Sequence, residues 1–386
     1  MMAMLPFARG GEGTSAEWPG FPVASSRFDQ RNEVFKRGCW DPEVIPLAEE
    51  FHDIRYRDKP GYTKLDYAFQ MAPWNMEDTF GYDWAGEGRP ALYSWDHFKV
   101  DFDLPEGPVR EAPDRMSHTV KQVARFFGAD LVGVTRVHPS WVYSHSFNKA
   151  TGEHRKLELP RGCRNAIVMA LAMDFEGMAT SPAGPAGAAT GMGYARMAFT
   201  ANLVAAFIKH LGYQAVPSGN DTGLSVPLAL AAGLGEWSRM GLLITERFGP
   251  RVRLCKVFTD LPLQTDSYKP FGAAEFCRTC RTCAEHCSSQ AIPYGDLTAR
   301  GPSAISNHHG PRKWYVDGVK CYGFWAKNRM DCSVCIRVCP FNKTEGPLHD
   351  AVRSVIRSTT AFNELIVRVD RALDYDKPRP ARLFWK

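Results

Sequence analysis

The sequence predicts an α+β protein built in parts, and three observations carry that expectation. Eight of the eleven cysteines crowd between Cys277 and Cys339. From Ser117 onward, apolar runs with helical spacing alternate with short continuous runs suited to strands. Upstream of that point aromatics are dense and neither period holds. The 386 residues are 44% hydrophobic and 23% charged, a globular composition long enough for a large core. No stretch reaches the roughly 18 uninterrupted apolar residues of a transmembrane helix. A net charge of +5 is too weak and too scattered to point to nucleic acid.

Residues 1–113 form the first expected unit, an aromatic-rich cover. It opens on a Gly-rich leader, Arg9–Gly13, and shows no basic segment followed by an apolar one of the kind that directs export. From Trp40 to Phe98, 13 of 59 residues are Phe, Trp or Tyr. Such a density either fills a core or walls an apolar cavity. Pro and Gly interrupt it often, so loops and short helices are expected.

Residues 114–275 read as an α/β core. Ser117–Phe127 has helical spacing and Asp130–Val137 reads as a strand. Residues 138–164 are polar, an insertion expected to form a hairpin or loop. Asn165–Met173 suits a buried strand. Ala179–Gly193 is rich in small residues and is expected to lie bare rather than pack a core, where a large planar ligand can come close. Tyr194–Leu211 is a strongly apolar helix, closed by Gly212 in the C′ position. Pro217–Gly223 is a tight polar loop, and Pro227 opens a second small-residue helix, Leu228–Ala232. Gly241–Glu246 and Arg251–Thr259 read as a strand pair joined through Phe248, Gly249 and Pro250. Neither a P-loop nor a GxGxxG after a strand is present, so nucleotide binding has no support.

The cysteines define a unit at 276–345, followed by a helical tail at 346–386. Their order is Cys277-x-x-Cys280-x-x-Cys283-x-x-x-Cys287, then Cys321, then Cys332-x-x-Cys335-x-x-x-Cys339-Pro340. A disulfide framework suits small secreted domains rather than a chain with a full core. Zinc usually shows as two separated pairs. A run of three cysteines at two-residue spacing plus a fourth is the two-cluster ferredoxin pattern, in which the fourth ligand crosses to the other cluster. Crossing gives two complete [4Fe–4S] sets: Cys277, Cys280, Cys283 with Cys339, and Cys287, Cys321, Cys332 with Cys335. Two such clusters relay single electrons. Cys39, Cys163 and Cys255 stand alone and read as free thiols.

The run from Thr190 to Pro293 resembles the core of the corrinoid-dependent reductive dehalogenases. The matching phrases are GMGYARMAFTANLVAAFIKHLGYQAVPSGNDTGLSVPLALAAGLGE, GPRVRLCKVFTDLPL and FGAAEFC, and the opening RFDQRNEVFKRGCWDP is similar to the start of their mature chains. Epoxyqueuosine reductases share the corrinoid core and both clusters and are the alternative; they carry a helical-repeat extension, whereas 43 residues without a repeat follow Lys343 here. A non-catalytic electron-transfer ferredoxin protein is the third reading. Ser288 follows Cys287 where the family has Pro, a departure that touches the turn rather than the ligand set.

The resemblance implies a nitroreductase-like core holding a base-off cobalamin, with Gly191, Gly193, Gly219, Gly223 and Gly233 at the cofactor. It implies an oxidoreductase that replaces a carbon-bound halogen with hydrogen. Tyr194 matches the family's proton-donor tyrosine, and a cation beside it would stabilise the phenolate. Arg253 is the expected cation, Arg251 the runner-up on the same strand face, and Lys256 has opposite parity. Asn220 matches a polar pocket residue that holds substrate or Tyr194. Implied partners are a small organohalide and a separate electron donor, either a ferredoxin or flavodoxin or a membrane quinol system. A small membrane-anchor subunit and a homodimer also fit the family, and nucleic acid does not. The chain reads as cytoplasmic as written, or as the mature form of an exported enzyme.

Overall fold

A computed structural model describes residues 17–18, 21–83, 91–96, 107–302 and 305–386. The expected leader at Arg9–Gly13, and Trp84 and Phe98 of the aromatic run, lie outside them. The centre is a four-stranded antiparallel sheet made of β1 (Leu131–Arg136), β2 (Asn165–Ala172), β3 (Ala215–Ser218) and β4 (Val252–Thr259), in the order β1-β2-β4-β3. Every residue of β2 from Asn165 to Leu171 is buried. That explains its unbroken apolar sequence, since a strand covered on both faces has no polar alternate. Ile167, Met169 and Leu171 face one layer, with Met197, Ala201, Val204 and Ile208. Ala166, Val168 and Ala170 face the other, with Leu228, Ala229 and Leu230.

Three helices cover the sheet, α2 (Pro113–Phe126), α3 (Gly184–His210) and α4 (Ser225–Ala231), and α1 (Lys64–Phe80) packs on α3. α1 starts in a capping box, where the Thr63 hydroxyl accepts from the Asp66 amide and the Asp66 carboxylate accepts from the Thr63 amide. At 17 residues it is longer than the short helices expected upstream of residue 113. Gly212, with φ of +87°, closes α3 as expected.

Two expectations need correction. Ala179–Gly193 does not lie bare. α3 begins at Gly184, ten residues before Tyr194, and residues 184–191 are all buried. Side chains at Gly184, Gly187 and Gly191 would meet Asp66, Gln70 and Trp74 of α1. The small residues thus form a seam where two helix backbones approach closely, with spacings of three and four residues on α3 and four and four on α1. Nor do Gly241–Glu246 and Arg251–Thr259 pair. Leu243–Ile244 pairs with Glu236–Trp237, while β4 runs between β2 and β3. β4 is buried at every position but Arg253, and its backbone groups need partners that a short hairpin cannot supply.

The stretch 138–164 contains the hairpin of His145–Phe147 with His154–Lys156. Beyond the sheet, the cysteine segment folds into short helices. The later helices α5 (Pro347–Ser358) and α6 (Asn363–Ala372) place Ile356 and Val367 against it. Among the described residues no helix is long and apolar enough to cross a membrane.

Candidate functional site

The end of α3's first half, the loop after β3 and the start of β4 meet at Tyr194. Its hydroxyl oxygen accepts a 2.9 Å hydrogen bond from the Asn220 amide nitrogen. The Arg253 guanidinium lies over the Tyr194 ring at 4.9 Å from the centroid, a cation–π arrangement. Trp74 of α1 stacks against the same ring, with centroids 4.9 Å apart and planes at 33°. Tyr194 is half-buried and Asn220 exposed, so the hydroxyl opens onto accessible space. The three residues expected at the site are therefore brought together. Arg251 is not among them: it donates to the Asn342 side chain at 3.1 Å and to the Met173 carbonyl, and stacks on Phe175.

Lys256 points away from Tyr194 yet serves the same loop. It is fully buried, and its ammonium donates to the Gly223 carbonyl at 2.8 Å, the Ser225 hydroxyl at 3.1 Å and the Gly219 carbonyl. The cation thus ties both ends of the loop that presents Asn220. Burial lowers it to about 8, against the opposing pull of nearby Asp221 and Glu33. From the other side, Tyr143 donates to Glu33 at 2.6 Å and to the Asn220 carbonyl at 3.4 Å. Burial pushes the Glu33 carboxyl up to about 7, with the Tyr143 hydrogen bond, Lys36 and Lys256 opposing. Lys256 was legible as an oddity, a lysine inside an apolar strand; Trp74 and Glu33 gave no signal.

The five glycines expected at a cofactor are occupied with their own chain. A side chain at Gly191 would strike Trp74, at Gly193 Arg253, and at Gly219 Tyr93 and Tyr82. At Gly223 it would strike the Trp141 carbonyl and at Gly233 the Ser267 carbonyl. Their lack of a side chain serves internal packing. Among the described residues the Tyr93 hydroxyl, Arg253 Nε and the Gln70 amide oxygen are buried without a hydrogen-bond partner, a state native proteins rarely tolerate.

The cysteines separate into two groups. Cys277, Cys280, Cys283 and Cys339 line one small cavity with Met240, Phe276, Pro340 and Phe341. Cys287, Cys321, Cys332 and Cys335 lie close enough to perturb one another's ionisation. Burial pushes Cys277, Cys321, Cys332 and Cys335 up to about 12. For Cys287 burial works upward too, but hydrogen bonds from Ser289 and from the Ala291 and Ile292 amides outweigh it. All eight thiols are free of disulfides.

Sequence reasoning missed Arg239, whose side chain is fully buried. It donates to the carbonyls of Cys277 at 2.8 Å, Cys280 at 3.2 Å, Pro293 at 2.9 Å and Gly295 at 2.8 Å. Among the described residues it has no carboxylate within ion-pair distance. A buried cation needs a counter-charge, and four thiolates of an iron–sulfur cluster supply one. The donor set fits [4Fe–4S] clusters on this ground as well as by count.

Comparison with known proteins agrees. Residues 276–343 match the family model of the 4Fe-4S dicluster domain. The chain is 36% identical over 363 residues to the tetrachloroethene reductive dehalogenase of Sulfurospirillum multivorans, covering 84% of this chain and 71% of that protein. A solved reductive dehalogenase, described as suggesting a mechanism for B12-dependent dehalogenation, superposes with a TM-score of 0.72 at 23% identity. The match takes in 94% of this chain and 49% of the other, so this chain spans about half the length of that structure. An epoxyqueuosine reductase of Lactococcus garvieae is 30% identical over 131 residues, 32% of this chain and 34% of that protein.

Proposed function

Since the chain belongs to the reductive dehalogenases, oxidoreductases that act on carbon–halogen bonds, we propose that it replaces a carbon-bound halogen with hydrogen through a proton delivered by Tyr194. The overall change consumes two electrons and one proton, converting a carbon–halogen bond to carbon–hydrogen and releasing halide. The single observation that carries the reading is the Tyr194 hydroxyl, held at 2.9 Å by Asn220 under the guanidinium of Arg253.

Each residue has a definite task. Asn220 occupies the tyrosine oxygen as donor, so the hydroxyl proton is left to point elsewhere, toward substrate. Once that proton leaves, the Asn220 amide and the Arg253 cation stabilise the phenolate. Trp74 fixes the ring by stacking. Lys256 and the Tyr143–Glu33 pair hold the Asn220 loop from beneath.

The two cysteine quartets hold the clusters that deliver electrons. Tyr93, Arg253 and Gln70, whose buried polar atoms have no partner among the described residues, are the residues that would hold a corrinoid's amide edge. Bound there, a corrinoid would supply the reducing chemistry for the carbon–halogen bond. A nitroreductase-like reading of the core is supported by the antiparallel sheet with helices on both faces. The small share of the chain matched by an epoxyqueuosine reductase gives that alternative little support.

Turnover of a halocarbon panel, beginning with tetrachloroethene, by anaerobically reconstituted protein tests the proposal. Halide release with a hydrogenated product is expected. Protein that holds both clusters and cobalt yet releases no halide from any member would refute it.

A further inference from the structure

We infer that Asp29, His145 and His154 form a binding site for a divalent first-row transition ion, on the seam between the N-terminal segment and the hairpin of residues 145–156. The two histidines sit diagonally across the hairpin, since His145 opposes Lys156 and His154 opposes Phe147. Their rings lie 4.7 Å apart at 35°. The Asp29 carboxylate faces both. His154 Nε2 is 3.0 Å from each of its oxygens, and His145 Nδ1 is 3.8 Å from Oδ2. One ligand atom from each residue lies within 4.8 Å of the other two. With metal bonds of 2.0–2.2 Å, donors around a tetrahedral ion stand about 3.3 Å apart, so side-chain adjustments of about 1 Å gather all three.

The chemistry of the donors selects the ion. Two imidazoles and one carboxylate suit zinc and its first-row neighbours, whereas calcium and magnesium take oxygen ligands. The carboxylate is already aimed, because Asp29 Oδ1 accepts the Arg31 amide at 2.9 Å and Oδ2 is left toward the rings. Such outer support is what orients metal ligands elsewhere. His145 Nδ1 also lies 3.1 Å from the Ser144 hydroxyl, which turns aside when the nitrogen binds metal.

The ion would close a seam already stitched by hydrogen bonds. Ser144 donates its amide to the Phe28 carbonyl at 2.8 Å, Phe147 to the Gln30 side chain at 3.1 Å, and Lys36 to the Phe147 carbonyl at 2.9 Å. Tyr143, one residue before Ser144, contacts the Asn220 carbonyl. The site is separate from both cysteine quartets, and its role is to brace this wall.

Full-length protein carrying both clusters, equilibrated anaerobically with zinc sulfate at about 10 μM free zinc, should take up about one zinc per chain beyond its iron. Zinc-edge X-ray absorption should show a nitrogen and oxygen shell with imidazole and no sulfur at about 2.3 Å. The double variant His145→Gln, His154→Gln should lose that zinc and keep its iron. If the double variant also loses iron, His154→Gln alone, on an exposed strand, gives the same comparison. No uptake by wild type would overturn the site, as would unchanged uptake by the histidine variants or a sulfur shell. In those outcomes the cluster is a bare histidine–carboxylate ion pair, or the zinc sits on cysteine.

Discussion

The Asn220 amide donates to the Tyr194 oxygen, and not the reverse, at 2.9 Å. An amide nitrogen has no lone pair to accept with, so the tyrosine proton is free for another partner. Asn220→Ala should therefore weaken proton delivery while leaving Tyr194 stacked between Trp74 and Arg253. Removing one donor from a developing phenolate is worth about 10- to 100-fold in turnover, the range for hydrogen bonds to charged groups. Single-turnover halide release compares the two proteins. An unchanged rate would show that the contact is structural.

Arg239 concerns the clusters alone. Among the described residues no carboxylate lies within ion-pair distance of it, and its hydrogen bonds shape the loop that presents Cys277 and Cys280. Arg239→Met should remove the first cluster and spare the second, lowering iron from about eight to about four per chain. Cys321→Ala should do the converse, since Cys321 belongs with Cys287, Cys332 and Cys335. Electron paramagnetic resonance of the reduced proteins would distinguish the two remaining signals. Retention of both signals in Cys321→Ala, or zinc in place of iron, would contradict the crossed grouping.

What the sequence revealed and what it hid divide along physical lines. The cysteine spacing was legible because cluster ligation leaves a local signature in the chain. β2 was legible because burial on both faces forces an apolar run. The helix at 184–193 was hidden because glycine and alanine carry no apolar period, and the partner they pack on, α1, lies more than a hundred residues upstream. Arg239 and Glu33 were invisible for the same reason. Their partners are backbone carbonyls or residues far away in sequence, and neither leaves a pattern.

Glu33 gives a pH-dependent outcome. Its carboxyl is raised to about 7, chiefly by burial. Between the ordinary carboxylate value and about 7 the folded state holds a proton that the unfolded state has released. Its contribution to stability is therefore present at low pH and lost as pH rises through about 7. Glu33→Gln keeps an oxygen for the Tyr143 hydroxyl and removes the charge. The variant should unfold at a higher denaturant concentration than wild type at pH 8, and at nearly the same concentration at pH 5. Lys36, Lys256 and Asp221 remain as neighbours in both proteins, so the difference isolates this carboxyl. A variant less stable at pH 8 would mean that Glu33 is held as a needed counter-ion to the two lysines.

Tyr194 and Arg253 should behave as one unit. Tyr194→Phe keeps the ring, its stacking on Trp74 and its place beneath the guanidinium, and removes only the hydroxyl. A positioned general acid is worth about 10²–10⁴ in rate, and the variant should lose that factor while retaining cobalt and iron. Arg253 acts through the ring. Its aliphatic stem fills the space against Gly193, where a side chain would come within 2.9 Å of Cγ. Arg253→Leu preserves that packing and removes the charge, so its loss of turnover reports the cation rather than a cavity. With the hydroxyl already gone, the cation has no phenolate to stabilise, and the double variant should fall little below Tyr194→Phe alone. Independent roles would instead multiply the two losses. Rates near wild type in Tyr194→Phe would assign the proton to solvent or to another residue, and the mechanism drawn from this triad would fail.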